Sequence, residues 1–313
     1  MKGLELAERF YKQYGEKMID ESFSHIKQYL AVGLCGSGSE CLGYDDEISQ
    51  DHDFEPGFCV FLPGEDLISS RDEFLLERAY AKLPKEFSGF KRNTLTPVGG
   101  NRHGIIRISN FLTEKTGSET GELTTSGWFF TSEQFLSEAT NGKIFFDNYG
   151  LLTDIREKLS YLPEDVRLKK LAGNLLVMAQ SGQYNYPRCI SRNETGSAQL
   201  AISEFANATL RVIFLLNKKY MPYYKWSFKA LRGLSILSSL HDDLEYIISS
   251  ANTEKETKSK MEIIEKISSS IIDEIKRQKL TNVESINLEP YAYSINDKIK
   301  DLEIRNLHIL YAV

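Results

Sequence analysis

Long apolar runs are missing from this 313-residue chain, and none approaches the ~20 residues that a membrane helix needs. The opening stretch, MKGLELAERF, reads as the start of an amphipathic helix and lacks the apolar core of a signal peptide. Cysteine is scarce: Cys35, Cys41, Cys59 and Cys189 show no Cys-x-x-Cys spacing. A chain of this length can build a core without disulfides, so neither a disulfide scaffold nor a zinc ribbon is indicated, and buried thiols are expected. The Asn-x-Thr sequons at Asn193 and Asn207 then mean little, and a cytoplasmic protein without membrane contact is the expectation. Also absent are the Walker-type Gly-x₄-Gly-Lys-Ser/Thr, Gly-x-Ser-x-Gly and Gly-x-Gly-x-x-Gly, and no internal repeat is visible. Finally, no Lys or Arg occurs between Lys27 and Arg71.

What is present is ordinary for a globular chain of about two domains: 41% hydrophobic and 26% charged residues. The net charge of −6 argues against general nucleic-acid binding. It is unevenly spread: −9 over residues 1–150, +6 over 151–230 and −3 over 231–313. An acidic front followed by a basic centre suits a metal site facing a polyphosphate, and unevenly solvated helix faces would give the same pattern.

Apolar spacing predicts a helix over 3–29 with a break near Asp20, then a buried strand from Tyr29 to Cys35. A loop over about 36–50, a strand over about 51–62 bent near Pro56-Gly57, and a helix over 70–83 follow. Further strands are expected at 104–111 and from Lys143 to Phe146, around a short helix from Thr131 to Ala139 with cap signals at both ends. From Leu151 onward nearly everything reads helical: Leu152–Leu162, Asp165–Gln180, Ser197–Tyr220, Tyr223–Ser250 and Glu254–Lys279. The expected fold is therefore α+β. A mixed-sheet domain (1–150) precedes an all-α helical bundle domain (151–313), with the change near Gly150.

The sharpest local signal is CGSGSECLGYDDEISQDHDFEPGFCVFL, from Cys35 to Leu62. A strand runs into Gly36-Ser37-Gly38-Ser39, where glycines let backbone N–H groups approach phosphate oxygens and serine hydroxyls add donors. After a gap comes Asp51-His52-Asp53. On a strand the two aspartates share a face, and paired carboxylates suit Mg²⁺, or Mn²⁺, bound together with substrate phosphates. Glu40, Asp45, Asp46, Glu47 and Glu55 crowd the same cation-free segment, which would repel itself without a metal. An acidic surface loop is the plainer alternative.

Apolar-Gly-Ser followed by Asp-x-Asp is similar to the signature of the polymerase-beta-like nucleotidyltransferase superfamily. The longer string, GSGSE…DDEISQDHDF with PYYKW (Pro222 to Trp226), resembles a bacterial family of unknown function within it. That family pairs a nucleotidyltransferase domain with a C-terminal helical half. The resemblance implies a Gly-Ser turn (Gly36, Ser37, Gly38, Ser39) over a nucleoside triphosphate such as ATP, with Asp51 and Asp53 as catalytic metal ligands. The implied reaction transfers a nucleoside monophosphate to an acceptor, with the helical domain shaping the acceptor site. Two departures stand out. The usually apolar position between the aspartates is His52. The later strand that usually gives a third carboxylate, GIIRISNF, has Arg107 and no acid. Asp147 resembles an aspartate common after the last strand of these domains; helix capping and a catalytic role are both open to it.

A second cluster sets Arg188, Arg192 and Lys225 among Tyr184, Tyr186, Tyr223, Tyr224 and Trp226. Arg192 and Lys225 are candidate nucleotide contacts, with a helix–helix seam as the alternative; packing is the expectation for Arg188. His241-Asp242-Asp243 is expected to be an exposed mid-helix stretch, and His103 to open a strand. The readings that follow are a metal-dependent nucleotidyltransferase with a small hydroxyl-bearing acceptor, a binding-only nucleotide sensor, and a toxin that modifies protein or tRNA. Monomer and homodimer are both open.

Overall fold

The computed structural model describes residues 1–48, 54–92 and 102–313. Its contacts divide the chain into two compact units, Met1–Leu123 with Thr131–Ser160, and Thr124–Phe130 with Tyr161–Val313. The sequence changes character at Gly150; the unit changes after Ser160, and residues 124–130 belong with the second unit.

In the first unit α1 (Gly3–Phe10) runs through a wider π-helical turn, Tyr11–Gly15, into α2 (Glu16–Ser22). The break expected near Asp20 falls after Ser22, and of the remainder of the 3–29 segment only Lys27–Tyr29 is helical, as a 3₁₀ turn. Leu6, Phe10 and Ile19 are buried along α1 and α2. The strands β1 (Ala31–Leu34) and β2 (Cys59–Leu62) are buried at every residue. Next come α3 (Ser70–Ala81), capped by the Ser69 hydroxyl at 3.2 Å from the Asp72 N–H, and a tight hairpin of β3 (Glu86–Phe87) and β4 (Phe90–Lys91). β5 (Gly104–Arg107) leads directly into α4 (Ile108–Thr116). The strand expected over 104–111 thus ends at Arg107, and the i, i+3, i+4 spacing of Ile108, Phe111 and Leu112 buries one side of a helix instead. α5 (Thr125–Phe130) belongs to the second unit; α6 (Glu133–Thr140), β6 (Lys143–Asp147) and α7 (Leu151–Lys158) complete the first. The helix expected from Thr131 begins at Glu133, after Ser132, whose side chain makes no capping hydrogen bond.

The sheet order is β5-β2-β1-β6. β1 lies antiparallel to both of its neighbours, and β2 is parallel to β5. The strand predicted over 51–62 is strand at Cys59–Leu62, and residues 54–58 are not. The Tyr80 hydroxyl explains the late start: it accepts from the Phe58 N–H at 3.1 Å and donates to the Phe58 carbonyl at 2.8 Å. A side chain has thus taken up the N–H that a ladder would use, while the Phe58 carbonyl also accepts the Gly104 N–H of β5 at 3.0 Å.

The second unit is all-α beyond α5. α8 (Glu164–Met178) passes through a π-helical segment, Ala179–Asn185, into α9 (Tyr186–Ser191) and then α10 (Thr195–Leu216). Contrary to the expectation that no segment is apolar over membrane-helix length, α10 is by length and composition apolar enough to cross a membrane; 67% of its most apolar window is buried inside the structure, as in a core helix. The helix expected over 223–250 is split into α11 (Tyr224–Leu231) and α12 (His241–Ser249). Asn217 holds the break: its amide donates to the Ile236 carbonyl at 2.9 Å and its oxygen accepts from the Ile236 N–H at 3.0 Å. α13 (Glu254–Arg277), α14 (Glu289–Asp297) and α15 (Leu302–Asn306) follow. Lys169 on α8 is fully buried, and its ammonium donates to Asn296 Oδ1 at 2.8 Å and to the carbonyls of Arg305 at 3.1 Å and Leu307 at 2.6 Å. All three protons find oxygen, although no carboxylate is among the acceptors. With 60% of the chain helical and a small mixed sheet, the fold is α+β with a helical C-terminal region, as the sequence predicts.

Candidate functional site

Strand directions collect four connections at one end of the sheet. Gly33 pairs with Cys59, Cys59 with Gly104, and Leu34 with Lys143. The Gly-Ser turn that leaves β1 therefore meets the segments that enter β2, β5 and β6.

Asn141, at the end of α6, acts as a strand partner for Gly36: its Oδ1 accepts the Gly36 N–H at 2.8 Å and its Nδ2 donates to the Gly36 carbonyl at 2.8 Å. The next residue, Gly142, has φ +68° and lies so close to the Leu34 carbonyl that a Cβ would overlap it. Gly38 has φ +124°, and a Cβ there would overlap the Arg102 guanidinium and the Glu40 carboxylate. Arg102 Nη2 donates to the Ser37 carbonyl at 2.6 Å and pairs with Glu40. Of the N–H groups expected to face phosphate, that of Gly36 is taken by Asn141. Among the described residues, those of Ser37, Gly38 and Ser39 make no hydrogen bond. Successive unpaired N–H groups in such a turn form an anion-binding concavity.

Asp51, His52 and Asp53 lie outside the described residues. The acids around them were expected to repel one another; several instead meet cations from other parts of the chain. Glu40 pairs with Arg102, and Asp45 accepts from the Gly3 N–H at 2.8 Å with the Lys2 ammonium 3.5 Å away. Glu55 lies 3.1 Å from His103 Nδ1. His103 does precede β5, as expected, and it also anchors the carboxylate two positions after Asp53 in sequence. Arg102 and Asn141 escaped the sequence reading. The cation-free stretch from Lys27 to Arg71 signalled that compensation had to come from elsewhere, without saying from where.

Asp147 is placed apart. It pairs with Ala31, the first residue of β1, so it stands at the other end of the strand from the Gly-Ser turn. Its Oδ1 accepts the Gly150 N–H at 2.9 Å, and its Oδ2 accepts the Thr153 N–H at 2.9 Å and hydroxyl at 2.8 Å. Both oxygens serve the start of α7, the capping role open to it from the sequence. A cleft of about 520 Å³ lies beside it, lined by Phe146, Thr153 and Arg156 among others. The Arg156 guanidinium is occupied with the carbonyls of Ala139 (3.0 Å), Thr140 (3.0 Å) and Asn141 (2.6 Å) at the end of α6.

On β5, where the resemblance implies a carboxylate, Arg107 is buried and holds Glu73 on α3 at 2.9 and 2.6 Å and the Pro63 and Ile68 carbonyls at 2.8 and 3.0 Å. Cys35, Cys41 and Cys59 are buried thiols, as expected. Burial pushes the Cys35 thiol up to about 11 and raises those of Cys41 and Cys59 as well, which keeps them protonated and inert near neutrality.

Arg192 and Lys225 belong to the second unit. Arg192 is exposed at the end of α9. Lys225 is exposed on α11, with its ammonium 5.0 Å from the Trp226 ring centroid. Arg188 is exposed too, stacked 4.5 Å from the centroid of the exposed Tyr184 ring, rather than packed in a helix seam. His241 is neither mid-helix nor exposed: it opens α12 and is 8% accessible. Arg232 Nη1 lies 2.6 Å from its Nε2 and can only donate, so Nδ1–H faces Asp242 at 2.9 Å. Both ring nitrogens are engaged, which argues against metal binding even with Asp242 and Glu245 close by.

Residues 128–227 match the family model described as Domain of unknown function (DUF4037). That interval holds Asn141, Asp147, Arg192 and Lys225, and does not include the Gly-Ser turn. No curated protein matches. Among solved structures the chain is similar to the crystal structure of a nucleotidyltransferase-like protein from Exiguobacterium sibiricum 255-15. The identity is 12%, the match covers 91% of this chain and 88% of that one, and the TM-score is 0.36.

Proposed function

We propose that the chain is a nucleotidyltransferase that moves a nucleoside monophosphate from a triphosphate to a hydroxyl-bearing acceptor, with a small molecule as the acceptor class. The observation that carries this reading is the Gly-Ser turn, which offers three N–H donors without partners among the described residues beside the Arg102 guanidinium. Triphosphate oxygens fit that combination. Asp51 and Asp53 are the proposed ligands of Mg²⁺ or Mn²⁺. Their hard oxygen donors suit either ion, and the described acids Glu40, Asp45 and Glu55 already have partners. A bound divalent ion would neutralise charge on the phosphates. The acceptor oxygen bonds to the α-phosphorus as the bond to pyrophosphate breaks, and the hydroxyl proton leaves to a base. The chain's own contribution is positioning: Asn141 fixes the start of the turn and Arg102 stands at its mouth.

A binding-only nucleotide sensor is the second reading, favoured by Arg107 on β5 in a purely structural set of contacts. Incubation with each labelled nucleoside triphosphate and Mg²⁺, with and without cell extract, separates the two by pyrophosphate release. Calorimetry without metal-dependent nucleotide binding at millimolar concentrations would end both. Cytoplasmic location is part of the same proposal.

A further inference from the structure

The stretch from Phe205 to His241 holds six Lys or Arg residues and no Asp or Glu, in a chain whose net charge is −6. This local excess surfaces at the corner between α10 and α11. Lys218, Lys219 and Lys225 are exposed there; the intervening connection ends at Tyr223, 46% exposed, and α11 opens with Tyr224, 72% exposed. The two tyrosine rings lie 4.3 Å apart between centroids. On α11 the Lys225 and Lys229 ammoniums flank one ring, at 5.0 and 5.2 Å from the Trp226 centroid. Lys225 makes no ion pair with any described residue.

Two adjacent exposed tyrosines cost apolar surface in water and contribute little to the core. Beside the exposed Lys219 and Lys225 they form what a nucleic-acid strand needs: flat faces for bases and cations for the backbone. We infer that the α10–α11 corner binds single-stranded nucleic acid, with bases stacking on Tyr223 and Tyr224 and phosphates meeting Lys219 and Lys225. The positive charge suits phosphate. A strand fits better than a free mononucleotide because the cations are spread along the chain: Lys219 and Lys225 are six residues apart, a span of up to about 20 Å. A surface as open as Tyr224 gives a lone nucleotide little enclosure, whereas a strand sums several weak contacts. The inference is independent of nucleotidyl transfer, because a strand can dock whether or not the first unit is catalytic.

The test is fluorescence anisotropy of a short labelled oligouridylate with the full chain and with Tyr224→Ala, Lys225→Ala and Tyr184→Ala. Tyr224 is exposed enough for its loss to leave the fold intact, and far-UV circular dichroism checks this. Tyr184 is a matched control, 56% exposed with Arg188 stacked on it but outside the corner. The expected result is a loss of about tenfold in affinity for Tyr224→Ala. Lys225→Ala should lower affinity and make the salt slope shallower by about 0.7. Tyr184→Ala should leave binding unchanged. No binding, equal loss in all three variants, or an unaltered affinity in Tyr224→Ala would overturn the inference. So would displacement of the strand by ATP at matched phosphate concentration, which would assign the corner to free nucleotide. Equal displacement by polyglutamate would reduce it to a generic cationic surface.

Discussion

Arg102 and Glu40 form an ion pair against Gly38, with side chains only 17% and 10% exposed, and the same guanidinium also holds the Ser37 carbonyl. Glu40 thus competes for the cation nearest the proposed phosphate position. Glu40→Gln should therefore tighten triphosphate binding several-fold, while Arg102→Ala should weaken it about tenfold. Arg102→Ala should also destabilise the fold by about 3 kcal/mol, because it leaves a buried carboxylate alone. Calorimetry with Mg²⁺ and urea unfolding measure the two effects. Equal losses of affinity in both variants would make the pair a simple brace for the turn.

Asp51 and Asp53 should behave as one unit. Asn at either position should abolish turnover, and the double variant should lose little more. Asp147 should behave oppositely: Asp147→Ala removes the acceptor for three donors at the start of α7 and should cost about 1 kcal/mol while sparing turnover. Pyrophosphate release and melting temperatures for the four proteins decide this. Full turnover in Asp53→Asn would end the two-carboxylate proposal.

Glu274 makes part of the stability pH-dependent. Hydrogen bonds from Arg277, at 2.7 and 2.6 Å, hold its carboxyl below the ordinary value of 4.5, with help from Gln278. The folded state binds this proton less tightly than the unfolded chain does. The contribution is thus complete above 4.5 and is lost as pH falls through the lower folded value. Glu274→Gln should be about 1 kcal/mol less stable than the parent at neutral pH, with the open face of Arg277 keeping the figure modest. Chemical unfolding at neutral pH and in acid should show the gap closing. A constant gap would assign the loss to packing.

Arg107 offers a separate check on β5. Arg107→Ala should cost about 3 kcal/mol by stranding Glu73 and the two carbonyls it holds, without altering metal-dependent nucleotide affinity. A loss of affinity at unchanged stability would move Arg107 from the scaffold into the site.

The α+β class was legible because the periodicity of Leu6, Phe10 and the α8–α10 apolar residues is local. So was the buried strand after Tyr29, a short apolar run ending in glycine. What escaped depended on partners far along the chain. Tyr80 stops β2 at Cys59 from 22 positions away, and Asn217 breaks the 223–250 helix across 19 positions. Arg102 reaches Glu40 over 62 positions and Asn141 reaches Gly36 over 105, so no local pattern marked either as part of the turn. His241 misled for the same reason: its burial is set by Arg232 across a break that the apolar spacing does not reveal.

The Lys169 ammonium has a consequence for how the chain is made. Its acceptors lie 127, 136 and 138 positions downstream. At roughly 5–20 residues per second of synthesis, Lys169 is in place about 7–28 s before Leu307 exists. The first unit, by contrast, has its last residue at Ser160. The ribosome therefore delivers a first unit able to close on its own schedule. The helix that carries Lys169 must meanwhile keep a cation solvated until residues 296–307 arrive, so this set of contacts can close only after every residue of the first unit has been made.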